Sequence, residues 1–238
     1  MVTLKAGLTL TAALVKRRQK TILGPIDLAL AASGFTIVLG PNGAGKTTFL
    51  KVLHGIERLS AGSVTWPITE PLVRQQQAFV FQSPIMLRRS VWANLAYPLQ
   101  LLGRPRAEIA QKVDDWAGRI GLETALNRPA PRLSAGEKQK LALARALIRQ
   151  PQTLFLDEPC ANLDGRSTRE IETLLRNAFD NGTRIIMATH DLGQARRLAT
   201  DVVFLLNGQL QDQGLAPRIF NAPGTPQSQA FFAGEIVE

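Results

Sequence analysis

Residues 40–48, Gly-Pro-Asn-Gly-Ala-Gly-Lys-Thr-Thr, have the types and spacing that can hold a phosphate chain. Gly40, Gly43 and Gly45 permit positive φ and let backbone N–H groups close around an anion with no side chain in the way. Lys46 adds a movable charge for β- and γ-phosphates, and the Thr47 hydroxyl is placed for Mg²⁺. Pro41, Asn42, Ala44 and Thr48 complete the loop. An apolar run, Phe35–Leu39, precedes it, and a helical-looking stretch, Phe49–Leu53, follows. Strand, Gly-rich loop and helix form the context in which this pattern means a phosphate cradle, with the positive end of the helix dipole aimed at the anion.

Further candidates lie downstream. Asp157-Glu158 closes the apolar run Thr153–Asp157, which sets two carboxylates at the carboxyl edge of a sheet, where ligands bind. There Asp157 would hold Mg²⁺ through water and Glu158 would polarise an attacking water as general base. Gln82 ends the apolar stretch 78–82, and its amide could reach both metal and lytic water. Read alone it is a polar strand end. His190 follows the strand-like Ile185–Thr189 and could contact a γ-phosphate at the same edge. Ser134, with Glu137 three residues on, opens a strongly amphipathic helix over 134–149 and forms a second anion-facing helix start. A bare helix cap would leave the small Ala135-Gly136 pair without a purpose.

The elements that must position these groups read as α/β. Residues 1–34 suggest short antiparallel strands around turns at Gly24-Pro25 and Ser33-Gly34. Strands follow at 35–39, 64–66 and 78–82, and a helix at 46–56. Residues 90–150 carry helical spacing broken at Pro98, Gly103–Pro105, Gly121 and Pro129–Pro131. Strands return at 153–157 and 184–188 around a helix at 166–179. A hairpin over 202–213 turns at Asn207-Gly208. The tail after Pro217 looks short and mixed, and His54 is read as structural.

A chain of 238 residues with 45% hydrophobic and 20% charged residues has the make-up of a soluble globular protein. The net charge of +9, from 28 Lys and Arg against 19 Asp and Glu, suits anionic partners: nucleotide, nucleic acid or an anionic membrane face. The lone Cys160 excludes an internal disulfide and fits a reducing compartment. No apolar run approaches the roughly 18 residues that span a bilayer, and no export signal layout opens the chain.

Taken together, these stretches resemble the ATP-binding subunit of an ABC transporter over nearly the full length. Residues 40–48 resemble the Walker A loop, Gln82 the Q-loop, 133–147 the signature motif and 153–159 the Walker B strand. Ala161–Asp164 resembles the D-loop, and His190 the switch histidine. The resemblance implies an α/β P-loop core of the ABC ATPase type, with an N-terminal antiparallel β-subdomain and an inserted all-helical subdomain. Residues 1–238 would form one ATPase domain: 1–83 and 151–220 the core, 84–150 the helical part, 221–238 a tail. ATP and Mg²⁺ are the implied cofactors.

A second copy of the chain is implied too, paired head to tail. Ser134 and Gly136 of one copy would then meet the γ-phosphate held by Lys46 of the other, with Asp164 at the same interface. Segment Ser83–Asn94 would dock transmembrane permease subunits, and an extracytoplasmic binding protein would join the complex indirectly. The expected place is the cytoplasmic face of the plasma membrane, as a peripheral subunit.

Three departures stand out. No aromatic precedes Phe35, so Arg17 or Arg18 would replace the ring that stacks on adenine, and ATP and GTP should be less well distinguished. Ala135 replaces the usual glycine, and Lys140 the usual arginine. The strings at 52–55, 81–90 and 189–198 look like the tungstate-importer ATPase group, near those for molybdate and phosphate. The 48 residues after His190 leave no room for an added regulatory domain. Soluble ABC ATPases acting on ribosomes or DNA are the other class to weigh, and the compact spacing between Gln82 and Leu133 speaks against it. No nucleic acid partner is expected.

Overall fold

Uninterrupted apolar runs become the central strands of a sheet covered on both faces. In the computed structural model, which describes residues 7–66, 70–235 and 237, β3 (Phe35–Leu39), β6 (Thr153–Asp157) and β7 (Arg184–Ala188) are buried at every position. They join β5 (Gln77–Val80), β8 (Asp201–Leu206) and β9 (Gln209–Leu215) in the order β5-β6-β7-β3-β8-β9. All neighbours are parallel except the β8–β9 hairpin. Its turn has Asn207 at φ 50° and Gly208 at φ 74°, as a type I′ turn requires. The parallel strands therefore end on one edge, and the loops leaving β3, β5, β6 and β7 converge there.

A second sheet, ordered β2-β1-β4, is antiparallel and contains β1 (Thr9–Arg17), β2 (Lys20–Ala29) and β4 (Ala61–Thr65). It packs with α1 (Lys46–His54) on one face of the large sheet, around Leu10, Leu23, Phe49, Leu50 and Phe155. The other face carries α5 (Ala135–Leu147), α6 (Gly165–Asp180) and α7 (Leu192–Leu198), with Leu143, Ile171, Leu175 and Ala195 in the core. Between β5 and β6, α3 (Val91–Leu101), α4 (Arg106–Ile120) and α5 bury a core of their own, including Leu95, Val113 and Leu141.

Several local expectations change. Pro98 lies inside α3 rather than breaking it. There it forgoes the one ladder bond its N–H would have made, and the helix continues to Leu101. The second strand closes at Val80, so Gln82 stands in the loop beyond it. A helix that the sequence reading lacked, α2 (Glu70–Gln76), precedes β5. The tail holds two helices, α8 (Ala216–Asn221) and α9 (Pro226–Ala233). Phe231 packs 4.8 Å from Phe204 of β8, ring centre to ring centre, so aromatic contact orders a stretch whose Pro and Gly spacing hides its periodicity. Of the expected strands over 1–34, residues 1–6 lie outside the described residues.

Candidate active site

The loop of residues 40–45 runs from β3 into α1 beneath the β8–β9 turn. A methyl group at Gly40 would stand 2.2 Å from the Leu205 carbonyl oxygen and 2.9 Å from Ala44 Cβ, so only glycine fits. Gly45, at φ 98°, precedes α1 and no side chain caps that helix. Its first N–H groups are left for an anion. Lys46 is 5% exposed, and its Nζ donates to the carbonyl oxygens of Gly40 at 2.8 Å and Pro41 at 3.1 Å. The ammonium is thereby held over the loop.

Thr47 and Asp157, both expected at the Mg²⁺ position, lie side by side. The Thr47 hydroxyl donates to Asp157 Oδ1 at 3.0 Å. Burial pushes the Asp157 carboxyl above its ordinary range; Glu158 adds to the rise, and the Thr47 bond opposes it. Among the described residues no group of three or more His, Cys, Asp or Glu could hold a metal ion by itself. Thr47 and Asp157 do suit Mg²⁺, which takes one or two protein oxygens and completes its shell with phosphate and water.

Glu158 is the meeting point. It leaves β6 at φ 46°, a left-handed conformation costly for a side chain of this size, anchored by its N–H to the Ala188 carbonyl oxygen at 3.0 Å. Such strain turns the carboxylate back over the sheet edge. Oε1 then lies 3.4 Å from Lys46 Nζ, and Oε2 lies 3.2 Å from His190 Nδ1. Gln82 Nε2 reaches the same Oε2 at 3.5 Å, a long bond from an exposed side chain. So Lys46 at the start of α1, Gln82 after β5 and His190 after β7 converge on the Glu158 carboxylate.

Ser134, Gly136 and Asp164 form a different group. Ser134 and Glu137 make a reciprocal capping box at the start of α5, the Ser134 N–H donating to Glu137 Oε2 at 2.7 Å. Asp164 caps α6, accepting from Ser167 N at 2.8 Å. The start of α5 abuts α6 and not α1: a methyl at Gly136 would come within 2.7 Å of Ser167 Oγ. Ser167 is a neighbour that the sequence reading missed, and a lone serine beside a cap residue gives no signal. Arg17, at the β1–β2 turn, pairs with Glu57 at 2.6 Å, and Glu57 was missed for the same reason.

A family model described as ABC transporter matches residues 23–161. The tungstate uptake system ATP-binding protein TupC of Peptoclostridium acidaminophilum is 39% identical over 80% of this chain and 90% of its own. A probable anion import ATP-binding protein of Haloferax volcanii is 33% identical, over 91% of this chain and 83% of its own. Among solved structures, cbiO1 from Clostridium perfringens, part of the ABC transporter complex cbiONQ, superposes with a TM-score of 0.80. It is 28% identical, over 91% of each chain.

Proposed function

Since the chain belongs to the ABC transporter ATP-binding family and is an importer-type ATPase, we propose that it powers uptake of an oxyanion, tungstate first among them. It would do so through a separate permease. The observation that carries the site assignment is the convergence of Lys46, Gln82 and His190 on Glu158 beside the Thr47–Asp157 pair. The anion itself rests on the similarity to TupC, with the Haloferax relative favouring anions more broadly. Molybdate and phosphate are the alternatives.

In this reading the loop of residues 40–48 binds the triphosphate through its N–H groups, and Lys46 turns from the Gly40 and Pro41 carbonyls to the β- and γ-phosphates. Mg²⁺, held by Thr47 and Asp157 and reached by Gln82, supplies neutralisation of phosphate charge when bound. Glu158 accepts the proton of the attacking water, and His190 orients that carboxylate and meets the γ-phosphate. Ser134, Gly136 and Asp164 address the nucleotide of a second copy arranged head to tail, which completes each site.

No helix among the described residues is long and apolar enough to cross a membrane; in this reading the permease is a separate partner and the chain a peripheral subunit at the cytoplasmic face. A groove of about 610 Å³ is lined by Phe81, Ile85, Tyr97, Leu101 and Arg145. Ile85 is 71% and Leu101 70% exposed. Such exposed apolar surface marks an interaction site, and it adjoins the Ser83–Asn94 segment expected to meet the permease. An extracytoplasmic capture protein would act from the far side without touching this chain. Nucleic acid has no part in the proposal.

The test is cellular. Glu158→Gln in the source organism should abolish uptake of tungstate at low external concentration while leaving sulfate uptake intact. Loss of molybdate or phosphate uptake instead would keep the mechanism and replace the substrate. Unchanged uptake of all four would overturn the transport reading.

A further inference from the structure

Asp164 and the Ser134–Gly136 turn are distant in sequence but share a neighbour in Ser167. The Asp164 carboxylate accepts twice from that residue, from its N–H at 2.8 Å and from its hydroxyl at 3.2 Å. The same hydroxyl oxygen lies 2.7 Å from where a side chain at Gly136 would begin, and Ser167 Cβ lies at 3.2 Å. The serine thus lies against the turn that opens α5. One helical turn further on, the contact is riveted. Lys140 Nζ, on a side chain 15% exposed, meets Glu170 Oε2 at 2.8 Å, and Arg166 Nε donates to Glu170 Oε1 at 3.0 Å. A methyl at position 136 would push the Ser167 hydroxyl off Asp164, because Oγ can rotate and the backbone cannot.

We propose that Ser167 is a positioning residue that ties the Asp164 loop to the Ser134–Gly136 turn, so that the two move as one body. Asp164 closes the loop that begins at Glu158. Movement of the turn is therefore delivered to the hydrolytic carboxylate of the same copy. The inference rests on the head-to-tail reading above: the turn meets one nucleotide while Glu158 acts on another. Ser167 then makes the two sites cooperative. It also gives Gly136 a duty besides leaving room for phosphate, which is leaving room for Ser167.

Five full-length proteins test this: wild type, Ser167→Ala, Ser167→Gly, Gly136→Ala, and Gly136→Ala with Ser167→Gly. For Ser167→Ala, the Hill coefficient for ATP should fall toward one and kcat about fivefold to tenfold, with half-saturating ATP within about twofold and the melting temperature within about 2 °C. A merely structural serine would move the melting temperature and leave the Hill coefficient alone. Gly136→Ala should lose at least about tenfold in kcat, and adding Ser167→Gly should cost little further, because the hydroxyl it removes is already displaced from Asp164. Wild-type cooperativity in Ser167→Ala, or losses at the two positions that multiply in the double variant, overturns the proposal. Thermal unfolding separates its failure from that of the transport reading. Even if the wild type hydrolysed nothing, non-additive melting shifts between positions 136 and 167 would uphold the contact, and additive shifts would remove it.

Discussion

Glu158 Oε2 and His190 Nδ1 stand 3.2 Å apart, although their side chains enter from separate loops, one after β6 and the other after β7. The positive φ of Glu158 creates the approach. A side chain leaving β6 in the ordinary extended conformation would not turn back over the edge where His190 emerges. Two consequences are expected. Glu158→Gln keeps size and polarity and removes the base, so kcat should fall by about a hundredfold to a thousandfold while ATP still binds. His190→Ala should cost about tenfold to a hundredfold, with KM for ATP changed by less than about threefold. Single-turnover hydrolysis alongside nucleotide-binding titrations reads both. Hydrolysis near the wild-type rate in Glu158→Gln would remove Glu158 from its role.

Asp157 should show the cost of a metal-ready carboxylate. Burial first, then the charge of Glu158, raise its pKa above the ordinary range. The fold therefore favours its protonated form. The stability linked to this group is present below the ordinary carboxylate pKa and is lost as pH rises through the raised value. At pH 7 the ionised group weighs against the fold, so Asp157→Asn should melt about 2–5 °C higher in metal-free buffer. The same variant should lose Mg²⁺-supported hydrolysis. In the wild type, protons compete with Mg²⁺ for Asp157, so the Mg²⁺ concentration for half-activation should rise as pH is lowered from neutrality toward the ordinary carboxylate range. A half-activation concentration flat across that range would contradict the assignment.

Much of this site can be read in the residues themselves. Buried parallel strands have no polar alternation to mislead, and Phe35–Leu39, Thr153–Asp157 and Arg184–Ala188 come out as expected. The Ser134 capping box and the Asn207-Gly208 turn are local chemistry and are found in place. What escaped depends on tertiary contact. Helix α2 sits among residues that carry no helical stripe, and α9 is ordered by Phe231 and Phe232 against Phe204. The Ser167 contact with Gly136 joins residues about thirty positions apart in sequence, with no periodicity to betray it. Likewise the left-handed Glu158 follows from the Ala188 anchor, not from any propensity of glutamate.

His54 lies among aromatic rings, edge-on to Phe155 at 5.4 Å and to Phe79 at 5.5 Å, with Nδ1 buried and without a hydrogen-bond partner among the described residues. Burial, reinforced by the charge of Arg74, lowers its pKa from 6.5 to about 4. The unfolded chain takes up this proton first as pH falls. The stability held by neutral His54 is complete above about pH 6.5 and drains away toward pH 4. His54→Phe should flatten that part of the melting curve and narrow the difference in melting temperature between pH 7 and pH 5 by several degrees. Melting scans at the two pH values, in wild type and variant, measure it. Equal pH dependence in both would place the acid sensitivity elsewhere.

Base recognition supplies the last prediction. No aromatic precedes Phe35 in the sequence, and the β1–β2 turn presents Arg17, its side chain 57% exposed and held at 2.6 Å by Glu57. A guanidinium kept in place by a carboxylate offers a flat cationic face to any purine. Stacking of this kind reads the π-face and not the hydrogen-bonding edge, so it separates adenine from guanine poorly. ATP and GTP should therefore be hydrolysed with kcat/KM values within about threefold of each other. Glu57→Gln frees Arg17 from its ion pair, and KM should rise for both nucleotides alike. An ATP preference above about tenfold in the wild type would show that another group reads the base edge, and Arg17 would lose its part in recognition.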